Sequence, residues 1–383
     1  VRYTRLLHTS LLTVSMISHA ACASNVNMRG AAPHLLAQQW AALRVQQSKL
    51  LARDAAQKLQ VSEADLVATS LGTGAVRLRD GSDTYEALYA RLHELEQIRV
   101  ITRNDAAVLE RVGTVLPLKR NERGRNIVGT GLIGGVIDLR PAINNWRYGF
   151  ALIQVGKNGK PMRSLQFFDR YGSAVNKVYL DNDVANAAFD KLVAEFKMQD
   201  QFASLGVERI QAKHSRTPHA KTDLEKLRSA WNAMKDVHEF SSLLAALGVT
   251  RERALELVGT DAAYRINAQS LRTLLYQVAQ QRQPIMAFVG NAGMTQIFSG
   301  SIARVESSGE WLNVLDPDFH LHLRMAAIDH GWVLKRPTSN GIITSVEFYD
   351  DKGEQVINFF SRRESQQKES DTWRKLVAGL TAS

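Results

Sequence analysis

A single cysteine, Cys22, stands in 383 residues, so neither an intramolecular disulfide nor a Cys-type structural zinc site can form. Stability must come from packing, and a reducing compartment is expected. Proline is sparse at 8 residues. No apolar run reaches the about 20 residues that a membrane helix requires, which argues against a membrane-embedded chain. No acidic residue precedes Asp54, whereas six basic ones do. What is present is ordinary globular composition, 45% hydrophobic and 22% charged, which excludes disorder, collagen and coiled coil. The length suggests two or three folding units.

The net charge of +10 raises the possibility of nucleic-acid binding, because cations that neutralise phosphates release counterions. The distribution speaks against it: more than half of the excess sits before Asp54, not on a recognition helix. A basic nucleic-acid-binding protein is kept only as a remote third reading.

Residues 1–27 resemble a poor signal peptide, with Arg2 and Arg5, a broken apolar middle and Ala21-Cys22-Ala23 in the style of a cleavage site. The simpler expectation is an upstream extension, with initiation at Met28.

The chain repeats itself. At an offset of 187, Asn104 meets Asn291 and Gly113 meets Gly300; at 181, Ser164, Phe167, Asp169, Gly172 and Val175 meet Ser345, Phe348, Asp350, Gly353 and Val356. Two ordered, gap-free matches indicate a duplicated domain. The second match reads as a β-hairpin in both copies, alternation on either side of Asp-x-x-Gly. Helical patterns cover residues 33–60, 83–96 and 223–280. The expected architecture is α+β: a tandem repeat over residues 28–208 and 223–383, each half a large antiparallel sheet with flanking helices. Residues 209–222 form a basic linker. Within it His214 and His219 lack an intervening carboxylate and flank Pro218, so a metal site there is not expected.

Gly129, Gly131 and Gly134 satisfy G-x-G-x-x-G, but Val136-Ile-Asp-Leu-Arg-Pro141 follows, so the helix a dinucleotide site needs is missing. In that segment Asp138 and Arg140 share one strand face, Ile137 and Leu139 the other. The bland reading of Arg140 is an exposed arginine paired with Asp138.

Asp236 and Glu239 have capping-box spacing and Gly248 suits a helix C-terminus. Val237, Phe240, Leu244 and Leu247 would then face the core, with His238 beside Ser241 and Ser242 in the first turn. Small neighbours leave room for a flat ligand, and the positive helix end favours a neutral imidazole, as a metal ligand must be. Such a histidine is more often an ordinary surface or core residue.

These segments together resemble the HemS/HmuS family (ChuS/PhuS type) of bacterial haem-handling proteins. The resemblance runs from Ala37 to Leu380 and rests on Ile101–Asn104, Ile137–Arg140 with Trp146, Gln166–Asp169 with Lys177–Tyr179, Asp236–Phe240, Phe288–Asn291, and the Arg336-Pro337 and Arg362-Arg363 regions. It implies a tandem α+β repeat with haem b held between the halves. It makes His238 the proximal iron ligand and places Arg140 over the opposite haem face, a catalytic position if the protein is an enzyme. Arg251, Arg336 and Arg363, with Lys335 nearby, become candidates for the propionates, and Phe288 for packing on the porphyrin. The chain departs from relatives at Arg336 and Phe360, where they carry Lys and Tyr.

The function so implied is cytoplasmic: haem from an inner-membrane ABC importer is accepted for iron acquisition and degraded oxidatively, with an external electron donor and dioxygen or peroxide. The alternative is a non-catalytic carrier delivering haem to a separate haem oxygenase. A reductase is a further candidate partner of the degrading reading. The resemblance covers both enzymes and carriers, and both stand at this point.

Overall fold

The computed structural model describes residues 33–48, 50–117, 136–156, 159–209, 223–363 and 367–380. The 1–27 extension, the Gly129–Gly134 motif and the His214/His219 pair lie outside the described residues, as does nearly all of the 209–222 linker.

The first half runs α1 (Pro33–Gln46), α2 (Ala52–Leu59), α3 (Glu63–Ala68), β1 (Ala75–Arg77), α4 (Ser82–Tyr89), β2 (Gln97–Arg103), β3 (Ala107–Thr114), β4 (Asp138–Pro141), β5 (Trp146–Val155), β6 (Pro161–Asp169), β7 (Ala174–Leu180) and α5 (Asn186–Phe196). The second runs α6 (Leu224–Ala233), α7 (Glu239–Leu247), α8 (Arg251–Val258), β8 (Ala263–Asn267), α9 (Ser270–Gln280), β9 (Ile285–Gly290), β10 (Met294–Gly300), β11 (Val305–Ser308), β12 (Trp311–Asp316), β13 (Phe319–Arg324), β14 (His330–Thr338), β15 (Gly341–Tyr349), β16 (Gln355–Ser361) and α10 (Asp371–Ala378). The architecture is α+β, as expected.

Both hairpins form where the Asp-x-x-Gly turns place them. Asp169 Oδ1 accepts from the amides of Tyr171 and Ser173, and Asp350 Oδ1 from those of Lys352 and Glu354. Gly172 and Gly353 take φ of 70° and 75°, a region that glycine enters without steric cost. One expectation is corrected: the helical span 223–280 is interrupted by β8, whose Ala263 and Ile266 are buried as it pairs with β14. Five residues inside a helical pattern are too few for periodicity to separate.

The strands form two antiparallel sheets, ordered β1-β5-β6-β7-β2-β3-β13-β12-β11 and β4-β10-β9-β16-β15-β14-β8. Neither belongs to one half alone. β4 leaves the first half to pair with β10, and β13, followed by β12 and β11, leaves the second to pair with β3. The two exchanges are equivalent, since β3 and β10 are the strands matched at offset 187.

The repeated asparagines close the exchange. Asn104 Oδ1 accepts from the amides of Ala106 and Ala107, while its Nδ2 donates to the carbonyls of Gly290 and Val356. Asn291 mirrors it, accepting from Gly293 and Met294 and donating to Arg103 and Val175. Each side chain turns its own hairpin and binds the other half. Asn104→Ala leaves these backbone groups without partners. It should cost about 1–3 kcal/mol, read as a lower denaturant midpoint at unchanged slope.

Helices α9 and α10 cover one face of the seven-stranded sheet over Val333, Val346, Phe348, Ile357 and Phe359. On the opposite face α6, α7 and α8 pack on Trp332, Leu334 and Tyr349 at the β14–β15 end. Among the described residues, that leaves β16, β9, β10 and β4 without a helix on this face.

Candidate functional site

Residues directly opposite in antiparallel strands share a face. The register therefore lines up Asp138, Ile297, Phe288, Asn358, Glu347 and Trp332 across six strands. In neighbouring rows of the same face lie Arg140 with Thr295, Phe360 with Met286 and Ser345, and Arg336 with Ile343. Trp332 lies under the helices, whereas Phe288, Phe360, Met286, Thr295, Asp138 and Arg140 are half-buried on the uncovered strands. The result is a flat shelf four strands wide, about 14 Å from β4 to β16, with apolar rings in its middle and a guanidinium at its edge.

Where shelf meets helices, cations and rings alternate. The Arg251 guanidinium lies 4.7 Å from the Phe240 ring centre and that of Arg336 lies 5.6 Å from it. Arg336 also stands 5.3 Å from the Phe360 ring, whose centre is 5.3 Å from that of Phe288. The structure thus brings together Arg251, Arg336 and Phe288 through Phe240 and Phe360. Lys335 is turned away by the two-residue strand period: it is exposed, with Nζ over Tyr264. The charge of Arg363 falls on Asp236 and Glu369.

A carboxylate organises the two arginines. Glu347 is fully buried on β15 and takes Arg251 in a fork, Nε to Oε2 at 2.8 Å, with further bonds from Tyr349 Oη at 2.6 Å and Gln355 Nε2 at 2.9 Å. Arg336 donates to Ser345 Oγ at 3.0 Å, and its Nε is buried without a partner. Burial pushes the Glu347 carboxyl upward, but Arg251, Arg336 and the Tyr349 hydroxyl together hold it below the ordinary value. Burial pushes Arg336 down to about 10 against the opposing pull of Glu347. One anion thus serves two cations, and the surplus positive charge faces the shelf rings. The Val346-Glu347-Phe348 run carried a signal of this: an acidic residue inside an otherwise apolar strand needs a buried cation.

His238, not Asp236, is the N-cap of α7, which begins at Glu239. The capping is correspondingly rearranged: Glu239 Oε2 accepts from the Lys235 amide at 3.1 Å, and Asp236 Oδ1 from the His238 amide at 2.8 Å. Asp236 lies two residues before the N-cap, and its carboxylate is turned to the histidine itself. Its Oδ1 also lies 2.6 Å from His238 Nδ1, while the ring is 90% exposed. With the Nδ1 proton on that carboxylate, the Nε2 lone pair is presented outward, the orientation used by a metal-ligating imidazole with a carboxylate behind it. Phe240, two residues on, is buried beneath against Trp231.

Arg140 pairs with Asp138 and bonds the Leu139 carbonyl, while Ile137 and Leu139 are buried on the opposite face. This is the face division that the alternation predicts. Burial raises the Asp138 carboxyl, and Arg140 partly restores it. Arg140 belongs to the first half, yet through β4 it stands on the same sheet face as the second half's rings. Among the described residues no hydrogen bond, ion pair or ring contact joins it to His238.

The family model described as the "Haemin-degrading HemS.ChuX domain" matches residues 60–196 and 248–380, once in each half. The hemin transport protein HmuS of Yersinia pestis is 35% identical over 345 residues, 90% of this chain and 97% of that protein. The heme-binding protein PhuS of Pseudomonas aeruginosa, solved in its holo form, shares 37% identity and a TM-score of 0.85, covering 92% of this chain and 100% of that one. The heme degrading enzyme ChuS of Escherichia coli O157:H7 shares 32% identity and a TM-score of 0.81, covering 91% and 99%. With two copies of the domain on a shared pair of exchanged sheets, this chain belongs to the HemS/ChuX family of haem-binding and hemin transport proteins.

Proposed function

We propose that the chain binds haem b on the shelf of the seven-stranded sheet, with His238 Nε2 as the iron ligand. It would accept imported haem in the cytoplasm from an inner-membrane ABC importer and degrade it oxidatively to release iron. The observation that carries the reading is the carboxylate-oriented imidazole two residues before Phe240, whose ring lies beside the Arg251 and Arg336 guanidiniums that border the aromatic shelf. The residues suit the group: Phe288 and Phe360 offer apolar rings to a macrocycle, and Arg251, Arg336 and Arg363 offer cations to its propionates. Lys335, on the reverse strand face, would reach a propionate only from outside the shelf.

When bound, haem supplies the redox-active iron and the oxidisable ring, with electrons from an external donor and dioxygen or peroxide as oxidant. The protein's part is positional. Asp236 holds the His238 ring and its tautomer. Glu347 fixes the Arg251 fork, and Arg336, wedged between Phe240 and Phe360, keeps its charge at the shelf. Arg140 stands at the β4 edge with five potential donors, and release from Asp138 would free them for a ligand on the far haem face.

The carrier reading is favoured by one observation: Asp138 already neutralises Arg140, as a merely structural arginine requires. Turnover discriminates the two. The haem-loaded chain is given air and an NAD(P)H-coupled reductant, with catalase present. Loss of the Soret band with an open-chain tetrapyrrole and free iron is expected; a stable holo-protein that releases haem only to a haem oxygenase would overturn the degrading role. Arg140→Ala should leave haem bound within about threefold, since no propionate contact is removed, but alter the sixth-ligand spectrum and slow turnover by about 10–100-fold. Haem loss as the dominant effect would make Arg140 structural.

A further inference from the structure

One row of the shelf sets polar side chains beside bare backbone. Register places Arg140 of β4 directly opposite Thr295 of β10, and Thr295 opposite Gly290 of β9, on the face that carries Phe288 two residues away. Directly opposite residues of an antiparallel pair have Cβ atoms about 4.5–5.5 Å apart, so the Thr295 hydroxyl stands within reach of the Arg140 guanidinium. Thr295 is half-buried, and its hydroxyl makes no hydrogen bond among the described residues. It leans over Gly290: a Cβ at that position would lie 3.0 Å from Thr295 Oγ1. Gly290 is not among the glycines with positive φ, so what its missing side chain provides is space. The three residues make a small notch beside the shelf rings, walled by a hydroxyl and a guanidinium and floored by backbone.

The repeat shows that the fold does not require this row. At offset 187, Val108 stands at the place of Thr295 and Arg103 at that of Gly290, and the strand exchange puts His322 of β13 where β4 has Arg140. Those three residues line a cavity of about 1680 Å³ beneath α2 and α3, whose wall is drawn from both halves. The same strand pairing therefore accepts valine in place of the threonine and a long side chain in place of the glycine. The imidazole is missing there as well. At offset 188, Gln60 and Gly248 both end a helix in the left-handed conformation, with φ of 55° and 61°, which sets Leu50 where His238 stands. Hydroxyl, bare glycine and imidazole occur together only on the shelf side.

We propose that Thr295 is a further ligand-contacting residue of the shelf: its hydroxyl, held over Gly290, donates a hydrogen bond to the small oxygen or anionic ligand that takes the haem face opposite His238. The inference rests on the reading of the shelf as a haem site and adds the class of co-substrate that the notch admits, dioxygen, peroxide or a small anion. A guanidinium only donates, whereas a hydroxyl donates and accepts at once. Thr295 can thus accept from Arg140 while donating to the ligand, and the two residues act on one small molecule from adjacent strands.

The test loads the full chain with ferric haem and titrates it with sodium azide and, separately, with sodium fluoride, read in the Soret and visible bands. Thr295→Val keeps the side-chain shape and removes the hydroxyl. It should weaken both anions by about three- to tenfold, as expected for one lost hydrogen bond, with haem affinity held within about twofold. The melting temperature of the haem-free chain should not change, because the repeat already carries valine at this place. Thr295→Ser should retain the anion affinity of the wild type. Gly290→Ala, which crowds Oγ1, should weaken the anions in the same direction as Thr295→Val. Anion affinity indifferent to Thr295→Val, or a loss in Thr295→Ser as large as in Thr295→Val, would overturn the inference and leave the haem site standing. Failure of haem itself to load would overturn both, since the notch would have no iron to serve.

Discussion

His238→Ala should remove most of the tight haem affinity, by about a hundredfold or more, and shift the ferric Soret band; free imidazole added to the variant should restore the band. The expectation follows from geometry: Nε2 faces outward, Nδ1 is committed to Asp236, and no second imidazole occupies the equivalent place in the first half, where Leu50 stands. Removal of a carboxylate behind a ligating histidine usually costs about 10–100-fold, and removal of the ligand should reach or exceed the top of that range. Asp236→Asn should therefore fall between the wild type and His238→Ala. An unchanged Soret position and affinity in His238→Ala would show that the iron is held elsewhere.

Glu347→Gln should be the most destabilising of the single substitutions considered, at about 3–5 kcal/mol near neutral pH. It strands Arg251 and the 3% exposed Arg336 around the same ring without their shared anion. The pH dependence has a definite sign. The carboxyl of Glu347 is held below its ordinary value in the folded chain, so its contribution is fully present above the unfolded value of about 4.3. It is lost as pH falls through the folded value. Denaturation series should show a constant gap between wild type and variant at neutral pH that narrows in acid. A gap that widened in acid, or a variant as stable as wild type at neutral pH, would mean that Arg251 and Arg336 are solvated in solution. Haem titration of the variant adds a readout that a purely structural role would not move: with Arg251 unmoored, porphyrins lacking propionates should bind unchanged while haem weakens.

Local chemistry was legible because it is written in short range. The Asp-x-x-Gly turns at Asp169 and Asp350 satisfy amides two and four residues away, so their composition announces them. Alternation told Asp138 and Arg140 apart from Ile137 and Leu139, and the same two-residue period separates Lys335 from Arg336. The helix starts two residues later than the Asp236–Glu239 spacing implies because Asp236 has two eligible roles, capping the helix or holding the histidine, and spacing cannot rank them. The interrupting strand β8 was hidden because five residues within a helical pattern carry too few periods.

By itself the sequence determined that the chain is a duplication, that its halves mix helices with antiparallel strands, and where the paired Asp-x-x-Gly turns fall. Tertiary structure alone decided that the halves exchange strands, so that Arg140 of the first lies on the same sheet face as Phe288 and Arg336 of the second. It also decided that Glu347 serves two arginines, and that the cavity beneath α2 and α3 takes its wall from both halves. The physical reason is common to all three. Strand pairing and burial of charge are set by partners more than a hundred residues away, or by a third dimension in which neighbouring strands become neighbours in space. A one-dimensional pattern records which face a side chain takes, but the identity of the surface it then meets belongs to the packed chain.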